Sequence, residues 1–242
     1  MLITSAARRL IVAGVLAMLL LTIVAGPQSV LGESMPLCPA YDDIPTRHPA
    51  YTDWYRTLLD TIYRLPLSYK PPGLADTSRA GFSSGHLVRH RLIDDLRALG
   101  MAARAAGAPL DIQSAFRSSA AQAASFNYWL SVFGYATALR GSARPGHSEH
   151  QLGTAIDFKS YGGGAPWMIG GYDWGTTKAG HWLARHAWRY GFVMSYPRNS
   201  FAQACYEYEP WHFRYFGHDI ARRIHDSGLV PRVWLWRHGS AQ

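Results

Sequence analysis

Several things are scarce in this sequence, and each scarcity narrows the reading. No run of Lys or Arg interleaved with aromatics occurs, so nothing marks a nucleic-acid groove. No internal repeat or low-complexity tract is present, which leaves out solenoids and disordered tails. Charged residues make up only 17% of the chain, with the positives scattered. Cysteine occurs only as Cys38 and Cys205, and neither follows an apolar run closely enough for a lipoprotein site. What remains is apolar: 48% hydrophobic residues and nine Trp can fill a core and argue against disorder. The net charge of +8 favours anionic partners. By charge alone these would be nucleic acid, a membrane surface or an anionic cell-wall polymer. The missing basic groove removes the first, and nucleic acid is not expected as a partner.

The 242 residues suit one domain plus a leader and are short for two full domains. Arg8 and Arg9 precede an apolar run, Leu10 to Gly26, which Pro27 ends. Residues 1–32 therefore read as a signal peptide, cleaved near Val30-Leu31-Gly32, or as an uncleaved membrane anchor, the run being slightly long. Either way the protein is expected outside the cytoplasm, in the cell wall or held at the membrane by this segment alone. In that oxidising setting an even pair of cysteines suggests a Cys38–Cys205 disulfide, with two unpaired thiols as the alternative.

Residues 33–50, rich in Pro and polar groups, read as a linker or arm, and 51–237 as the folded domain. Apolar spacing predicts a helix over 51–65, and Pro71 and Pro72 force an extended segment after it. A long helix is expected from about Ser84 to Ala106, with Leu92, Leu96, Leu99 and Ala103 on one stripe and Gly107 as its stop. A strand at Leu110–Ser114 and a helix capped by Ser118 follow. Residues 154–158 alternate as a strand, with Thr154, Ile156 and Phe158 on one side and Ala155 and Asp157 on the other. A glycine-rich loop at 160–175, a helix at about 177–190 and strands at Phe192–Tyr196 and Trp211–Tyr215 complete an α+β fold: a small antiparallel sheet with flanking helices.

Chemistry concentrates in two segments. Zinc hydrolysis needs about three protein ligands with one position left open. It also needs a carboxylate to carry a proton and a cation to meet the oxyanion. His150 lies at a loop end and Asp157 on the strand after it, where a lone carboxylate among Ile156 and Phe158 is costly unless paired or metal-bound. The small Gly153 and Ala155 would let a metal approach the backbone. In Glu209-Pro210-Trp211-His212 the proline breaks alternation, so Glu209 and His212 can face one point, with Arg214 on the His212 side. Spacing alone leaves a second reading open, in which Asp157 pairs with an arginine such as Arg117 and no metal is held.

The segment SARPGHSEHQLGTAIDF followed by YEYEPWHFRYFG resembles the paired signature of VanY-like D-alanyl-D-alanine carboxypeptidases, S-x-H-x-x-G-x-A-x-D then E-x-W-H. SAFRSSAAQ and WLARHAWRYGFVMSYP resemble two further blocks of that family, and the likeness covers about residues 50–225. It implies a LAS/Hedgehog-type zinc peptidase domain holding one Zn2+ through His150, Asp157 and His212. Glu209 would be general base and acid, Arg117 would stabilise the oxyanion, and Ser148 and Gln122 would hold substrate. Phe116 and Ser119 depart from the family, standing where it usually has Tyr. The implied activity is removal of the terminal D-alanine from peptidoglycan stem peptides. Alternatives are a D,D-dipeptidase or endopeptidase on the same zinc site, or a wall-binding module without turnover. His147 is expected at the rim, Glu149 as a solvated carboxylate or one backing the ligands, and Trp211 as a core anchor. His181, His186 and His218 are expected at the surface.

Overall fold

The segment LDIQS folds as the strand the sequence predicts, the fifth of eight among the described residues of the computed structural model. The structure describes residues 34–46, 53–167 and 170–239. The segment read as signal or anchor, 1–32, and the start of the helix expected at 51 lie outside these. Residues 33–242 form one compact unit. The chain runs through β1 (Ile44–Pro45), β2 (Tyr63–Arg64), β3 (Leu74–Asp76) and β4 (Leu87–Arg89) into α1 (Ile93–Ala105), β5 (Leu110–Ser114), α2 (Ser119–Phe133) and α3 (Tyr135–Gly141). It continues with β6 (Ala155–Ser160), α4 (Lys178–His186), β7 (Phe192–Met194), α5 (Phe201–Ala204), β8 (His212–Tyr215), α6 (His218–Ser227) and α7 (Pro231–His238). Among the described residues no helix is long and apolar enough to cross a membrane.

The centre is a four-stranded sheet in the order β5-β6-β8-β7, antiparallel throughout. Its core face carries Ile112, Ile156, Phe158, Phe192 and Phe213, all buried. Leu96, Leu99 and Ala103 of α1 pack into the same cluster. Their spacing puts them on one stripe of the helix, so truncating a leucine there would cost about 2–5 kcal/mol. Asp94 and Asp95 in the first turn and Arg104 in the last suit the helix dipole. The helix stops where expected, with Gly107 at φ +67° just beyond its end.

Two helix expectations fail. Residues 84–92 form a bend, β4 and a 3-10 turn rather than the first half of α1. Leu87 to Arg89 pair with β3, a contact outside the reach of local periodicity. The described part of 51–65 is turn and extended chain ending in β2. There the buried Asp60 carboxylate accepts the backbone N–H groups of Ile62 and Tyr63 at 2.8 Å each, giving the backbone an alternative to helix. The same carboxylate receives Arg232 Nε at 2.6 Å. Leu58, Leu59 and Ile62 are all buried, so the segment is covered all round rather than on one stripe.

The stretch expected as a loose arm is fastened. β1 pairs in parallel with β2, Arg144 donates to Asp43 and to the Asp42 carbonyl, and Cys38 and Cys205 form the disulfide.

Candidate metal centre

Register brings the key side chains together. In the β6–β8 ladder Asp157 lies directly opposite His212, and Ala155 opposite Arg214. Side chains on opposite residues of one face are neighbours. Asp157, His212 and Arg214 therefore share the face away from the core, while Ile156 and Phe213 fill the other. Glu209 joins them through a turn: the His212 N–H donates to the Glu209 carbonyl at 3.1 Å, with Pro210 at the second position, where its fixed φ suits a β-turn. His150 arrives from a 3-10 turn, Glu149–Leu152, whose N-cap is Ser148; the Ser148 hydroxyl accepts the His150 N–H at 3.3 Å. That turn ends at Gly153 with φ +72°, where an added Cβ would meet Pro71 and Leu74 at 3.1 and 3.2 Å. Gly153 thus serves backbone shape and packing, not access for a metal.

Ligand atoms of His150, Asp157 and His212 all lie within 4.8 Å of one another, and all three side chains are buried. His150 Nε2 is 3.2 Å from Asp157 Oδ2, and His212 Nδ1 is 3.0 Å from Asp157 Oδ1. His150 Nδ1 faces the Ala115 carbonyl at 2.7 Å. A carbonyl only accepts, so Nδ1 carries the proton and Nε2 keeps its lone pair. That Nε2 is buried without a hydrogen-bond partner. A buried acceptor without a donor, beside a carboxylate and a second imidazole, is the donor set a zinc ion takes, and these residues fit one.

The electrostatics suit a cation. Burial pushes His150 down to about 4, helped by the Arg117 charge, so the ring is neutral. Burial would raise Asp157, but the two imidazoles flanking it hold it well below the carboxylate range. Burial opposes a charge on His212 too, yet hydrogen bonds to Asp157 and Glu149 raise it to about 10. Burial lifts Glu209 to about 8, against the pull of His212, which places a proton carrier near neutrality. Its Oε2 is 3.7 Å from His212 Nδ1.

Arg117 stands at the edge of this group, NH1 3.5 Å from Asp157 Oδ2. The arginine pairing foreseen as a rival to metal binding therefore exists beside the histidines rather than instead of them. Its Nε donates to Gln122 Oε1 at 3.0 Å and its NH1 to Ser114 Oγ at 2.9 Å. Gln122 is buried, and its Nε2 donates to the Ala143 carbonyl at 2.7 Å. The structure thus places Gln122 behind Arg117, with both polar ends engaged, while Ser148 lines the cleft.

The cleft holds about 430 Å³, and Arg117, Glu209 and the three clustered side chains line it. Trp129, Phe133, Trp167 and Trp211 give it an aromatic wall. Trp211 meets Trp167 edge to face at 5.2 Å while also packing in the core. Of the aromatic loop, Trp174 is buried and Tyr172 exposed. His181 and His218 are exposed and His186 half-buried. His147 departs from expectation: it is buried, Nδ1 at 2.7 Å from the Asp60 carbonyl and Nε2 at 2.9 Å from Asp43. The fastened arm covers the position read as a rim. Ser195 and Tyr196, which sequence reasoning passed over, also border the group. The Ser195 hydroxyl donates to Glu149 Oε2 at 2.6 Å, and the Tyr196 ring lies 4.8 Å from that of His212.

A family model described as VanY, D-alanyl-D-alanine carboxypeptidase, matches residues 85–218, which hold every residue of this centre. The chain belongs to the VanY family. A Bacillus subtilis (strain 168) protein, YodJ, whose name carries only a provisional assignment as a carboxypeptidase, is 35% identical over 178 residues. That match takes in 72% of this chain and 64% of YodJ, so the chain spans under two thirds of that relative's length. Two solved structures fit the VanY-family fold of this chain. The LdcB LD-carboxypeptidase superposes with a TM-score of 0.63 at 33% identity, over 73% of this chain and 83% of LdcB. The vancomycin-resistance D,D-pentapeptidase VanY, in complex with Zn(II), gives a TM-score of 0.63 at 28% identity, over 75% of this chain and 99% of that one.

Proposed function

We propose that this chain is an exported zinc-dependent D,D-carboxypeptidase that removes the terminal D-alanine from peptidoglycan stem peptides. One observation carries the reading. His150, Asp157 and His212 converge within 4.8 Å, with Glu209 3.7 Å from His212 and Arg117 3.5 Å from Asp157, all lining one cleft. A site that served only stability would fill its fourth position with a protein ligand. Here the three side chains line the cleft, with a proton carrier and a guanidinium beside them. The Cys38–Cys205 disulfide and the apolar run near the N-terminus support export.

Zinc, held by His150 Nε2, Asp157 and His212 Nδ1, would supply Lewis acidity and bring the pKa of a bound water to about 7. The protein's own groups do the rest. Glu209, with burial raising its proton affinity, accepts the proton of the attacking water and returns it to the leaving amine. Arg117, braced by Gln122 and Ser114, presents fixed N–H donors where negative charge develops on the carbonyl oxygen. Ser148 and the aromatic wall position the stem peptide, and the basic surface favours its anionic wall setting.

A second reading rests on LdcB, named an LD-carboxypeptidase and more identical in sequence than the VanY structure. There the same groups would cleave an L,D bond. Purified protein should be incubated with a stem pentapeptide and with a tetrapeptide, with and without chelator, and the products weighed. Loss of one alanine from the pentapeptide alone, abolished by chelator and restored by zinc, is the expected result. Loss from the tetrapeptide alone supports the second reading. Turnover of neither substrate overturns both.

A further inference from the structure

One buried carboxylate near the centre has no part in the proposed reaction. Glu149 begins the 3-10 turn that carries His150, yet its side chain points to the other histidine. Its Oε2 lies 3.0 Å from His212 Nε2 and accepts the Ser195 hydroxyl at 2.6 Å. Its Oε1 accepts Arg214 NH1 at 2.9 Å. Arg214 in turn donates through NH2 to the carbonyls of Trp54 and Thr57, both at 2.8 Å. Every side chain in this chain of contacts is nine-tenths or more buried: Glu149 is 4% exposed, Ser195 2%, His212 3% and Arg214 0%. An ionised carboxylate only accepts, so His212 Nε2 must carry the proton. Nδ1, facing Asp157 and Glu209, is then the nitrogen whose proton a metal ion would displace.

We propose that Glu149 is a positioning residue: it clamps His212 in the Nε2–H tautomer and orientation that turns Nδ1 toward the metal. The inference rests on the metal site proposed above and adds the group that aims one of its ligands. The two imidazoles are then set by different means. The Ala115 carbonyl fixes His150 through Nδ1, so that ring offers Nε2. Glu149 fixes His212 through Nε2, so that ring offers Nδ1. A carboxylate behind a metal-bound imidazole orients the ring and raises its basicity, and such partners are worth about 10–100-fold in metal affinity. Arg214 and Ser195 hold the carboxylate still and keep it ionised, and the carbonyls of residues 54 and 57 hold Arg214.

The test compares Glu149→Gln with the parental full chain. Gln can still accept from His212 but carries no charge and cannot serve His212 and Arg214 alike. Zinc affinity is read by competition with a chromophoric chelator, and the ligand field by the visible spectrum of the Co(II)-substituted protein. The expected result is a 10–100-fold loss of zinc affinity and an altered Co(II) spectrum in a variant whose circular dichroism matches the parent. Affinity within twofold of the parent and an unchanged spectrum would overturn the proposal. Should the variant not fold, the zinc-loaded parent decides. Its histidine ring 15N–1H correlations should show His212 protonated at Nε2 with a slowly exchanging proton, and zinc bound through Nε2 would sink the clamp. None of these readouts involves peptide hydrolysis. A parent that binds zinc through this geometry but cleaves no stem peptide would refute the reaction and leave the clamp standing.

Discussion

At the scale of single residues, the proposed reaction makes separate demands on binding metal and on moving a proton, and Glu209 is where they part. It lies beside His212 without being one of the three clustered ligands. Glu209→Gln should keep the parental zinc content after dialysis, because the buried His150, Asp157 and His212 are untouched. Its turnover of stem peptide should fall by about 10²–10⁴-fold, as when a general acid–base group is lost. Parental turnover in a zinc-loaded variant would remove Glu209 from the mechanism. The positions of these residues were legible because each follows from local rules. An Asp in an alternating strand must point away from Ile156 and Phe158, and Pro210 turns the chain so that Glu209 and His212 meet. Glu149 and Ser195 were not legible as partners. They sit 46 positions apart and meet only once β7 pairs with β8 and the turn before Gly153 has formed. His147 misled for a similar reason. Its burial depends on Asp43, 104 residues away in the arm.

Elements show the same division between local and distant causes. The strands and helices read correctly, Leu110–Ser114 and the helix behind Ser118 among them, carry their own signals in period and cap: the Ser118 hydroxyl accepts the Ala121 N–H. Those misread, residues 51–65 and 84–92, have apolar spacing that suits a helix but are held by distant partners, Arg232 at Asp60 and β3 at β4. One such contact joins elements in a way that pH can probe. The Tyr215 hydroxyl at the end of β8 donates to Asp95 Oδ2 of α1 at 2.5 Å. Burial, with this bond second, pushes the phenol well above its ordinary value of about 10. A phenol whose proton is held more tightly in the folded chain stabilises fully below pH about 10 and loses that contribution as pH rises toward the folded value. Urea unfolding followed from pH 7 to 11.5 should show stability falling above about pH 10. Tyr215→Phe should start lower by about 1.5–3 kcal/mol, since the acceptor is a charged group, and should fall less steeply. Part of the alkaline fall should remain, because burial raises Tyr196 and Tyr206 in the same sense. Parallel curves for parent and variant would show that this contact contributes nothing to the alkaline limb.

Across the whole molecule, the arm and the cleft are tied at a single covalent point. Cys38 and Cys205 are 167 positions apart, and Cys205 is followed at once by Tyr206, Glu207, Tyr208 and Glu209 of the cleft wall. Closing so long a loop in the unfolded chain gives about 5 kcal/mol in the chain-entropy limit, with about 2–4 kcal/mol typical of real proteins. The gain appears only if the arm unfolds together with the rest. Two observations say that it does. The Asp42, Ile44 and Thr46 N–H groups bond to the carbonyls of Thr61, Ile62 and Arg64, of which Thr61 and Ile62 are buried. Arg232 of α7 also joins the Pro36 carbonyl to the buried Asp60 carboxylate. An arm fastened at β2 and at α7 cannot peel away without taking Asp43 from the buried His147 and the Pro36 carbonyl from the buried Arg232. The double variant Cys38→Ser, Cys205→Ser should therefore unfold in one transition, about 2–4 kcal/mol less stable than the parent in urea. Its zinc content should be unchanged, since no ligand touches either cysteine. If instead limited proteolysis cuts the arm at residues 34–46 while the remainder melts at the parental temperature, the arm is an independent appendage. The disulfide would then hold a strap in place rather than stabilise the domain.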